Sequence, residues 1–178
     1  MKMKKVKRGL YWGRFNPPHN GHLKVIKHLL ENKCTELVIA IGSALASHEP
    51  RNPFTGGERL LMLKAMLEEA KIAGKCVIIQ VPDVPGSYAA TAHNAVLLSP
   101  KFDCVFTNRP VIADVFSQMG FATESFPDFE RTKFNATDVR KALETDKSID
   151  KLVPPAVGKW LAENNGAARM RIVELDQY

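Results

Sequence analysis

Short apolar runs alternate with longer amphipathic segments along most of this chain, and that alternation limits the fold more than any other feature. The apolar runs predict strands at about 8–13, 36–42, 76–81, 103–107 and, more briefly, 121–124. Strands that alternate with helices are typical of a parallel sheet whose crossover helices cover both faces. We therefore predict an α/β fold with a three-layer parallel sheet of about five strands.

The segments between these runs carry helical patterns and start signals. A first helix is predicted at about 21–31, because apolar residues recur there every three or four positions. Thr55 and Glu58 form a capping box, so a second helix should begin at about Gly56 and end before Gly74. Further helices, the third of them capped by Asn135, are predicted at 89–98, 110–118, 136–144 and 155–164.

The length fits one domain spanning 1–178, with a basic tail at 1–7 and a C-terminal extension at 166–178. No apolar stretch approaches the roughly 20 residues that a membrane span requires. The basic start is followed by no signal-peptide core, so we expect a soluble, cytoplasmic protein without a membrane partner. The cysteines are widely separated beside apolar segments, which favours buried thiols over disulfides or metal ligands at Cys34, Cys76 and Cys104.

The formal net charge of +6 would suit a polyanion, and nucleic acid is the first candidate. Much of this excess is concentrated in a segment typical of a solvated tail, at Lys2, Lys4, Lys5, Lys7 and Arg8. Other arginines lie within the motifs described next. We therefore expect small phosphate ligands and no nucleic-acid partner.

The sharpest motif is G-R-F-N-P-P-H-N-G-H at 13–22, directly after the first strand and at the start of the first helix. His19 and His22 are three positions apart and face the same way at a helix N-terminus, where backbone N–H groups and the helix dipole favour an anion. Gly21 allows a phosphate to approach the backbone closely. A metal-binding pair or two solvated histidines are the alternatives, but no carboxylate or third histidine lies nearby in sequence, so we predict no metal site.

Two further segments follow predicted strands and are suited to phosphate. Gly42 and Ser43 end the second strand, and His48 and Arg51 follow before N-P-F-T-G-G-E-R at 52–59. The other segment, 133–140, begins a helix with a hydroxyl and a guanidinium in its first turn. Ordinary helix capping and a solvated arginine would also explain these two segments.

Together these motifs resemble the nucleotidylyltransferase superfamily, in which an H-x-G-H pair follows the first strand of a Rossmann-like fold. From about residue 8 to residue 164 the chain looks most like the archaeal type of nicotinamide-nucleotide adenylyltransferase. The strongest pieces are G-R-F-N-P-P-H-N-G-H-L-K-V-I-K at 13–27, I-G-S-A-L-A-S-H at 41–48 and N-P-F-T-G-G-E-R at 52–59. The resemblance implies transfer of the AMP moiety of ATP to nicotinamide mononucleotide, giving NAD and pyrophosphate. It also implies Mg²⁺ carried on the ATP phosphates, and a homo-oligomer.

The resemblance implies a role for each residue that matches a family motif. Catalytic roles would fall to His19, His22, Arg14 and Arg140, with His22 at the reacting α-phosphate. ATP and phosphate contacts would come from Arg14, Phe15, Asn16, His19, Gly21, His22, Arg51, Asn135, Thr137 and Arg140. Acceptor contacts would come from Gly42, Ser43, Arg51, Asp83, Tyr88 and Ala90.

The chain departs from the archaeal pattern at three places. Ala90 stands where those relatives carry a tryptophan that stacks on the nicotinamide ring, and Tyr88 is the nearby aromatic substitute. The segment after the fourth strand reads T-N-R-P at 107–110 in place of S-G-N-P, and N-A-T-D at 135–138 replaces S-G-T-E. The first two changes leave open another phosphorylated acceptor, such as flavin mononucleotide or phosphopantetheine. The basic tail leaves open a non-catalytic module that binds a nucleotide or nucleic acid.

Overall fold

The computed structural model describes residues 5–129 and 134–175. Its sheet has five parallel strands: β1 (Val6–Gly13), β2 (Cys34–Ile41), β3 (Cys76–Gln80), β4 (Cys104–Phe106) and β5 (Ala122–Glu124). Their order is β3-β2-β1-β4-β5, with Leu10 of β1 opposite Val38 of β2 and Val105 of β4. This sheet confirms the predicted fold class. Because the strand order reverses at β1, ligands are expected beyond the carboxyl ends of β1 and β4.

Seven helices lie in the described part of the chain. They are α1 (Asn20–Asn32), α2 (Gly56–Glu69), α3 (Tyr88–Leu98), α4 (Pro110–Gln118), α5 (Ala136–Glu144), α6 (Pro155–Glu163) and α7 (Gly166–Leu175). Tertiary contacts divide the chain into two compact units. Of the described residues, the sheet unit comprises 5–14, Val25–Ala44 and Ala73–Pro127, and the helical unit comprises Phe15–Lys24, Leu45–Ile72, 128–129 and 134–175.

The sheet unit has its core on both faces of the central strands. Alternate residues of β2 point to opposite faces, and both sets are fully buried: Val38 and Ala40 on one side, and Leu37, Ile39 and Ile41 on the other. The first set joins a cluster with apolar residues of α3 and α4, among them Ala92, Ala95, Ile112 and Phe116. Burial on both faces explains why the strands read as continuous apolar runs.

The helical unit is built on contacts of α2 with α6, α5 with α7, and α6 with α7. The capping box at the start of α2 is confirmed: the Glu58 N–H donates to Thr55 Oγ1, and the Thr55 N–H donates to Glu58 Oε2. The Asn135 cap of α5 is also confirmed, because its side chain accepts from the Asp138 N–H. These caps fix the first turn of α2 and the first turn of α5, and the N-terminus of α5 carries the predicted site residues Asn135 and Thr137.

The structure differs from the sequence predictions mainly at the chain ends. β1 begins at Val6, so Val6 and Lys7 belong to a strand although they were predicted to lie in the tail. Lys5 donates to the Leu30 carbonyl and Arg8 pairs with Glu36, so these two charges are engaged within the protein; residues 1–4 lie outside the described part. Residues 166–175 of the predicted extension form α7, and residues 130–133 of the predicted loop at 126–133 lie outside the described part.

The cysteines are free thiols of low reactivity. Cys34 and Cys104 are buried and Cys76 is half-buried. Burial raises the pKa of Cys34 and of Cys104 to about 11, and that of Cys76 to about 12.

None of the helices in residues 5–129 and 134–175 is long and apolar enough to cross a membrane.

Candidate active site

Two stacked imidazoles stand at the N-terminus of α1, in the helical unit. The rings of His19 and His22 have centroids 3.6 Å apart and an interplanar angle of 30°. The stack continues to the buried ring of Phe15, whose centroid lies 4.6 Å from that of His22. The predicted pair therefore forms one packed group beside the positive end of a helix dipole.

One hydrogen bond fixes the tautomer of His22. The backbone N–H of His19 donates to His22 Nδ1 at 3.2 Å. Because Nδ1 accepts this bond, the proton of the neutral ring is on Nε2, which can donate to a ligand oxygen. Burial and the neighbouring His19 hold the pKa of His22 well below its usual value of 6.5, so the ring is neutral at pH 7.

His19 is almost fully buried and is also neutral. Its side chain is 8% exposed, and burial together with the Arg140 guanidinium lowers its pKa to about 4. Within residues 5–129 and 134–175, His19 Nδ1 has no hydrogen-bond partner. A buried polar atom without a partner carries a cost of about 1–3 kcal/mol, which a bound polar ligand can remove.

Gly21 lies against this pair. A Cβ atom at Gly21 would stand 3.0 Å from His19 Nδ1, 3.1 Å from His19 Cε1 and 3.1 Å from the Cβ of Phe134. These distances are shorter than ordinary van der Waals contacts, so a larger residue here would displace the imidazole. The H-x-G-H motif thus needs glycine at this position for packing against His19 and Phe134.

The N-terminus of α5 brings a cation to the same unit. Arg140 Nη1 donates to the backbone carbonyl of Asn16 at 3.1 Å, and its Nη2 donates to Thr137 Oγ1 at 3.3 Å. Asn16 and Arg140 are 124 positions apart in sequence. Arg140 is also close enough to lower the pKa of His19. The structure therefore brings the motif at 13–22 together with the helix start that follows at 135–140.

Asn16 is held by backbone groups of the N-P-F-T segment. Its side chain is 1% exposed; Nδ2 donates to the Phe54 carbonyl at 3.1 Å, and Oδ1 accepts from the Phe54 N–H at 3.1 Å. Nδ2 also lies 3.5 Å from Asn52 Oδ1. The Asn16 amide therefore ties two loops together, while its backbone carbonyl holds Arg140.

Sequence reasoning missed two arginines that organise these loops. Arg59 is fully buried in α2, where its Nε donates to the Thr55 carbonyl and its Nη2 donates to the Ala46 carbonyl. Arg169 of α7 donates to the Pro53 carbonyl at 3.3 Å and lies 3.5 Å from Glu58 Oε2. The capping box accounted for this segment in the sequence, and no pattern indicated that Arg59 would be buried.

Five of the predicted acceptor residues lie at the carboxyl edge of the sheet unit: Gly42, Ser43, Asp83, Tyr88 and Ala90. The sixth, Arg51, belongs to the helical unit. The Ser43 N–H donates to Asp83 Oδ1 at 3.3 Å, and Ser43 has a positive φ of 50°, an uncommon conformation that clusters at functional sites. Gly42 packs against Trp12, whose Nε1 leaves no room for a Cβ atom at that position. Ala90 is in the first turn of α3, where its N–H donates to Ser87 Oγ.

Two exposed residues of this edge form a pair. The guanidinium carbon of Arg109 lies 5.7 Å from the centroid of the Tyr88 ring, and Arg109 Nη2 is 3.5 Å from the Tyr88 hydroxyl. Tyr88 is the first residue of α3, and Arg109 is the N-cap residue of α4. One contact therefore joins Tyr88, the predicted substitute for the missing tryptophan, to Arg109 of the T-N-R-P segment.

Arg14 and Arg51 are exposed on two different segments. Arg14 follows β1 directly, and Phe15 after it has a positive φ of 51° although it is buried. Arg51 lies in the turn between Glu49 and Asn52, which hydrogen-bond to each other through their backbones. Their predicted phosphate contacts stay predictions, as do the roles of the other site residues.

The described ranges 5–129 and 134–175 contain no group of three or more His, Cys, Asp or Glu side chains that could hold a metal ion. The polar groups of the site in the helical unit are imidazole, guanidinium, hydroxyl and amide donors. Such donors suit oxygen atoms of an anion, and phosphate above all.

Comparison with known proteins identifies relatives of this chain. The model of the cytidylyltransferase-like family matches residues 10–142. A nicotinamide-nucleotide adenylyltransferase from Thermococcus kodakarensis is 37% identical over 169 residues, which cover 94% of this chain and 89% of that protein.

The fold also matches solved structures. A bifunctional NMN adenylyltransferase/ADP ribose pyrophosphatase from Francisella tularensis superposes with a TM-score of 0.76 at 20% identity. The match covers 97% of this chain and 54% of that one, so this chain spans about half of that protein. A second structure of that protein, complexed with AMP and a manganese ion, matches with a TM-score of 0.67 at 20% identity and covers 96% of this chain and 56% of that one.

Proposed function

Because the chain belongs to the cytidylyltransferase-like family and to its branch of nicotinamide-nucleotide adenylyltransferases, we propose that it joins the AMP moiety of ATP to nicotinamide mononucleotide, forming NAD and pyrophosphate. The observation that carries this proposal is the meeting of His19, His22 and Arg140 in the helical unit. These residues come from two motifs that are more than a hundred positions apart, and all three can donate to phosphate oxygens.

The reaction forms one bond and breaks one. A phosphate oxygen of the acceptor attacks the α-phosphorus of ATP, and the bond from that phosphorus to the bridging oxygen of pyrophosphate breaks. The acceptor phosphate is ionised at neutral pH, so it needs no general base. Catalysis then depends on alignment of two anions and on stabilisation of charge at the α-phosphate and the leaving pyrophosphate.

The neutral state of the histidines fits this task. His22 presents Nε2–H as a donor because its Nδ1 accepts the His19 N–H. A donor fixed in this way requires no reorganisation when charge develops on the α-phosphate. Arg140, held by Asn16 and Thr137, supplies the positive charge that two neutral imidazoles lack.

ATP enters this proposal as its magnesium complex, so the metal is carried by the substrate. Support comes from the donor set, which offers N–H groups to the phosphates and leaves cation binding to the phosphates themselves. The proposal includes a cytoplasmic location and a homo-oligomer, as the sequence analysis predicts. Size-exclusion chromatography with light scattering would test the second point.

The test is pyrophosphate release from ATP and Mg²⁺ with nicotinamide mononucleotide, with chromatographic identification of NAD. We expect turnover by the parent protein and a loss of at least about a hundredfold in kcat for His22→Ala, the scale of one transition-state donor. His93→Ala, at an exposed histidine of α3, is the matched control and should retain parent activity. Equal activity of His22→Ala and the parent would refute the role of His22.

A different phosphorylated acceptor is the second candidate, favoured by Ala90 and by Arg109 at the acceptor edge. A panel with flavin mononucleotide and phosphopantetheine separates the two, since a clear preference for either would replace nicotinamide mononucleotide. Absence of pyrophosphate with every acceptor, together with tight salt-dependent binding of nucleic acid that is lost when residues 1–4, which precede β1, are removed, would favour a non-catalytic module.

A further inference from the structure

The Tyr88–Arg109 pair lies where an α/β sheet of this kind binds ligands. Tyr88 follows β3 and Arg109 follows β4, so both stand beyond the carboxyl ends of parallel strands. β4 pairs with β1 at the reversal of strand order, and residues at this reversal contact ligands in open α/β sheets. The pair belongs to the sheet unit, whereas the His19–His22 stack belongs to the helical unit.

Arg109 occupies a position that is unfavourable for a cation. It is the N-cap residue of α4 and makes no side-chain capping bond, although Ser, Thr, Asp and Asn are preferred there. Its charge adds to the positive end of the helix dipole instead of opposing it. A cation at this N-cap costs stability, and no capping bond compensates for that cost. A residue of this kind is typical of a functional position.

The guanidinium is also not neutralised. No carboxylate within residues 5–129 and 134–175 forms a salt bridge with Arg109. In the same ranges, the Arg109 guanidinium donates a hydrogen bond to the Tyr88 hydroxyl. The remaining N–H donors of the exposed guanidinium can bind an anion, and a planar carboxylate fits two of them at once.

Tyr88 gives the pair an aromatic surface. The side chain is 53% exposed, which is a large exposure for an aromatic residue at the start of a helix. Arg109 lies within cation–π distance of this ring, so the ring and the charge are held together. A flat ring that carries an anionic substituent could pack against Tyr88 while its charge meets Arg109.

We propose that the Tyr88–Arg109 pair selects the acid form of the acceptor, so that the enzyme uses nicotinate mononucleotide in preference to nicotinamide mononucleotide. Arg109 binds the ring carboxylate, and Tyr88 positions both the guanidinium and the ring. This inference rests on the proposed adenylyl transfer and adds its substrate preference. The neutral carboxamide offers Arg109 a single carbonyl oxygen, which makes a weaker bond than a bidentate carboxylate.

The test is the ratio of kcat/KM for the acid acceptor to kcat/KM for the amide acceptor. We expect the parent to favour the acid form. Arg109→Gln should lower this ratio at least tenfold, because the acid loses a charge-assisted pair whereas the amide loses only a weaker bond to a neutral carbonyl oxygen. Tyr88→Phe keeps the ring and should retain most of the preference, whereas Tyr88→Ala should lose part of it. Arg171→Gln, an exposed arginine of α7 paired with Asp146, is the matched control and should keep the parent ratio.

The amide reaction serves as an internal check that Arg109→Gln is folded and active. An unchanged ratio in Arg109→Gln would overturn the proposal. An equal rise in the KM for ATP with both acceptors would also overturn it, because Arg109 would then contact the triphosphate. If the parent forms no dinucleotide from either acceptor, the proposed adenylyl transfer itself fails. A normal amide reaction with no acid preference refutes only the role of the pair.

Discussion

A single methyl group at Gly21 should reduce the activity without unfolding the protein. In Gly21→Ala the new Cβ would lie 3.0 Å from His19 Nδ1 and 3.1 Å from the Cβ of Phe134. Ordinary contacts begin near 3.4 Å, so the imidazole must move by roughly half an ångström, together with the His22 ring that stacks on it. Gly21 does not need a positive φ, so the backbone itself accepts alanine.

The expected size of the effect follows from this displacement. A misplacement of about 1 Å costs roughly a hundredfold in rate, so half of that corresponds to about tenfold in kcat. Alanine is favoured over glycine within a helix by up to about 1 kcal/mol, which offsets much of the cost of the tight contact. The midpoint of thermal unfolding should therefore change by only a few degrees.

Gly57→Ala is the matched control, because Gly57 is likewise the second residue of a helix. Its new Cβ would have Thr55 Oγ1 at 3.9 Å as the nearest atom, an ordinary contact. Pyrophosphate release and thermal unfolding are measured for the parent and both variants. Full activity of Gly21→Ala, with the same unfolding midpoint as the parent, would refute the inference that the histidine stack is held in a catalytic position.

Three more predictions follow from buried groups. The pKa of His19 is about 4 in the folded protein and 6.5 in the unfolded chain. The contribution of neutral His19 to the free energy of unfolding is therefore complete above pH 6.5, and about 3 kcal/mol of it is lost as the pH falls towards 4. Urea unfolding at several pH values should show that His19→Gln loses less stability in acid than the parent does. Asn16→Ala leaves the N–H and carbonyl of Phe54 unpaired, so it should cost about 2–4 kcal/mol in urea unfolding. The variant keeps the backbone carbonyl that accepts from Arg140 but loses the side-chain bonds that hold this loop in place, so the KM for ATP should rise; an unchanged KM would argue against that link. The raised pKa values of the three cysteines predict slow alkylation by iodoacetamide at pH 8 until the protein is unfolded, and rapid labelling of the native state would contradict them.

The sheet and six of the helices could be predicted from the sequence because their signals are local. Apolar runs mark strands buried on both faces, and the Thr55–Glu58 box marks the start of α2 to the residue. The helix α7 gave a weaker signal: it lies in the segment predicted as a C-terminal extension, and only a few of its residues are buried, including Met170 and Val173. Its position depends on contacts with α5 and α6, which no local pattern encodes.

Some contacts of the candidate site could be predicted from local sequence patterns, and others could not. The stacking of His19 and His22 follows from their spacing at a helix start, so the sequence could indicate it. The bond from Arg140 to the Asn16 carbonyl joins distant positions, and the burial of Arg59 depends on a carbonyl from a separate loop. Such contacts arise from tertiary packing between segments that are distant in sequence, so no local sequence pattern predicts them.

The site of attack on ATP tests the central claim most directly. The parent protein is incubated with nicotinamide mononucleotide or nicotinate mononucleotide and with ATP that carries radioactive phosphorus at either the α- or the γ-phosphate. Adenylyl transfer predicts that the α-label enters the dinucleotide and that the γ-label leaves in pyrophosphate. Transfer of the γ-label to the acceptor, or its release as inorganic phosphate without dinucleotide, would contradict the account.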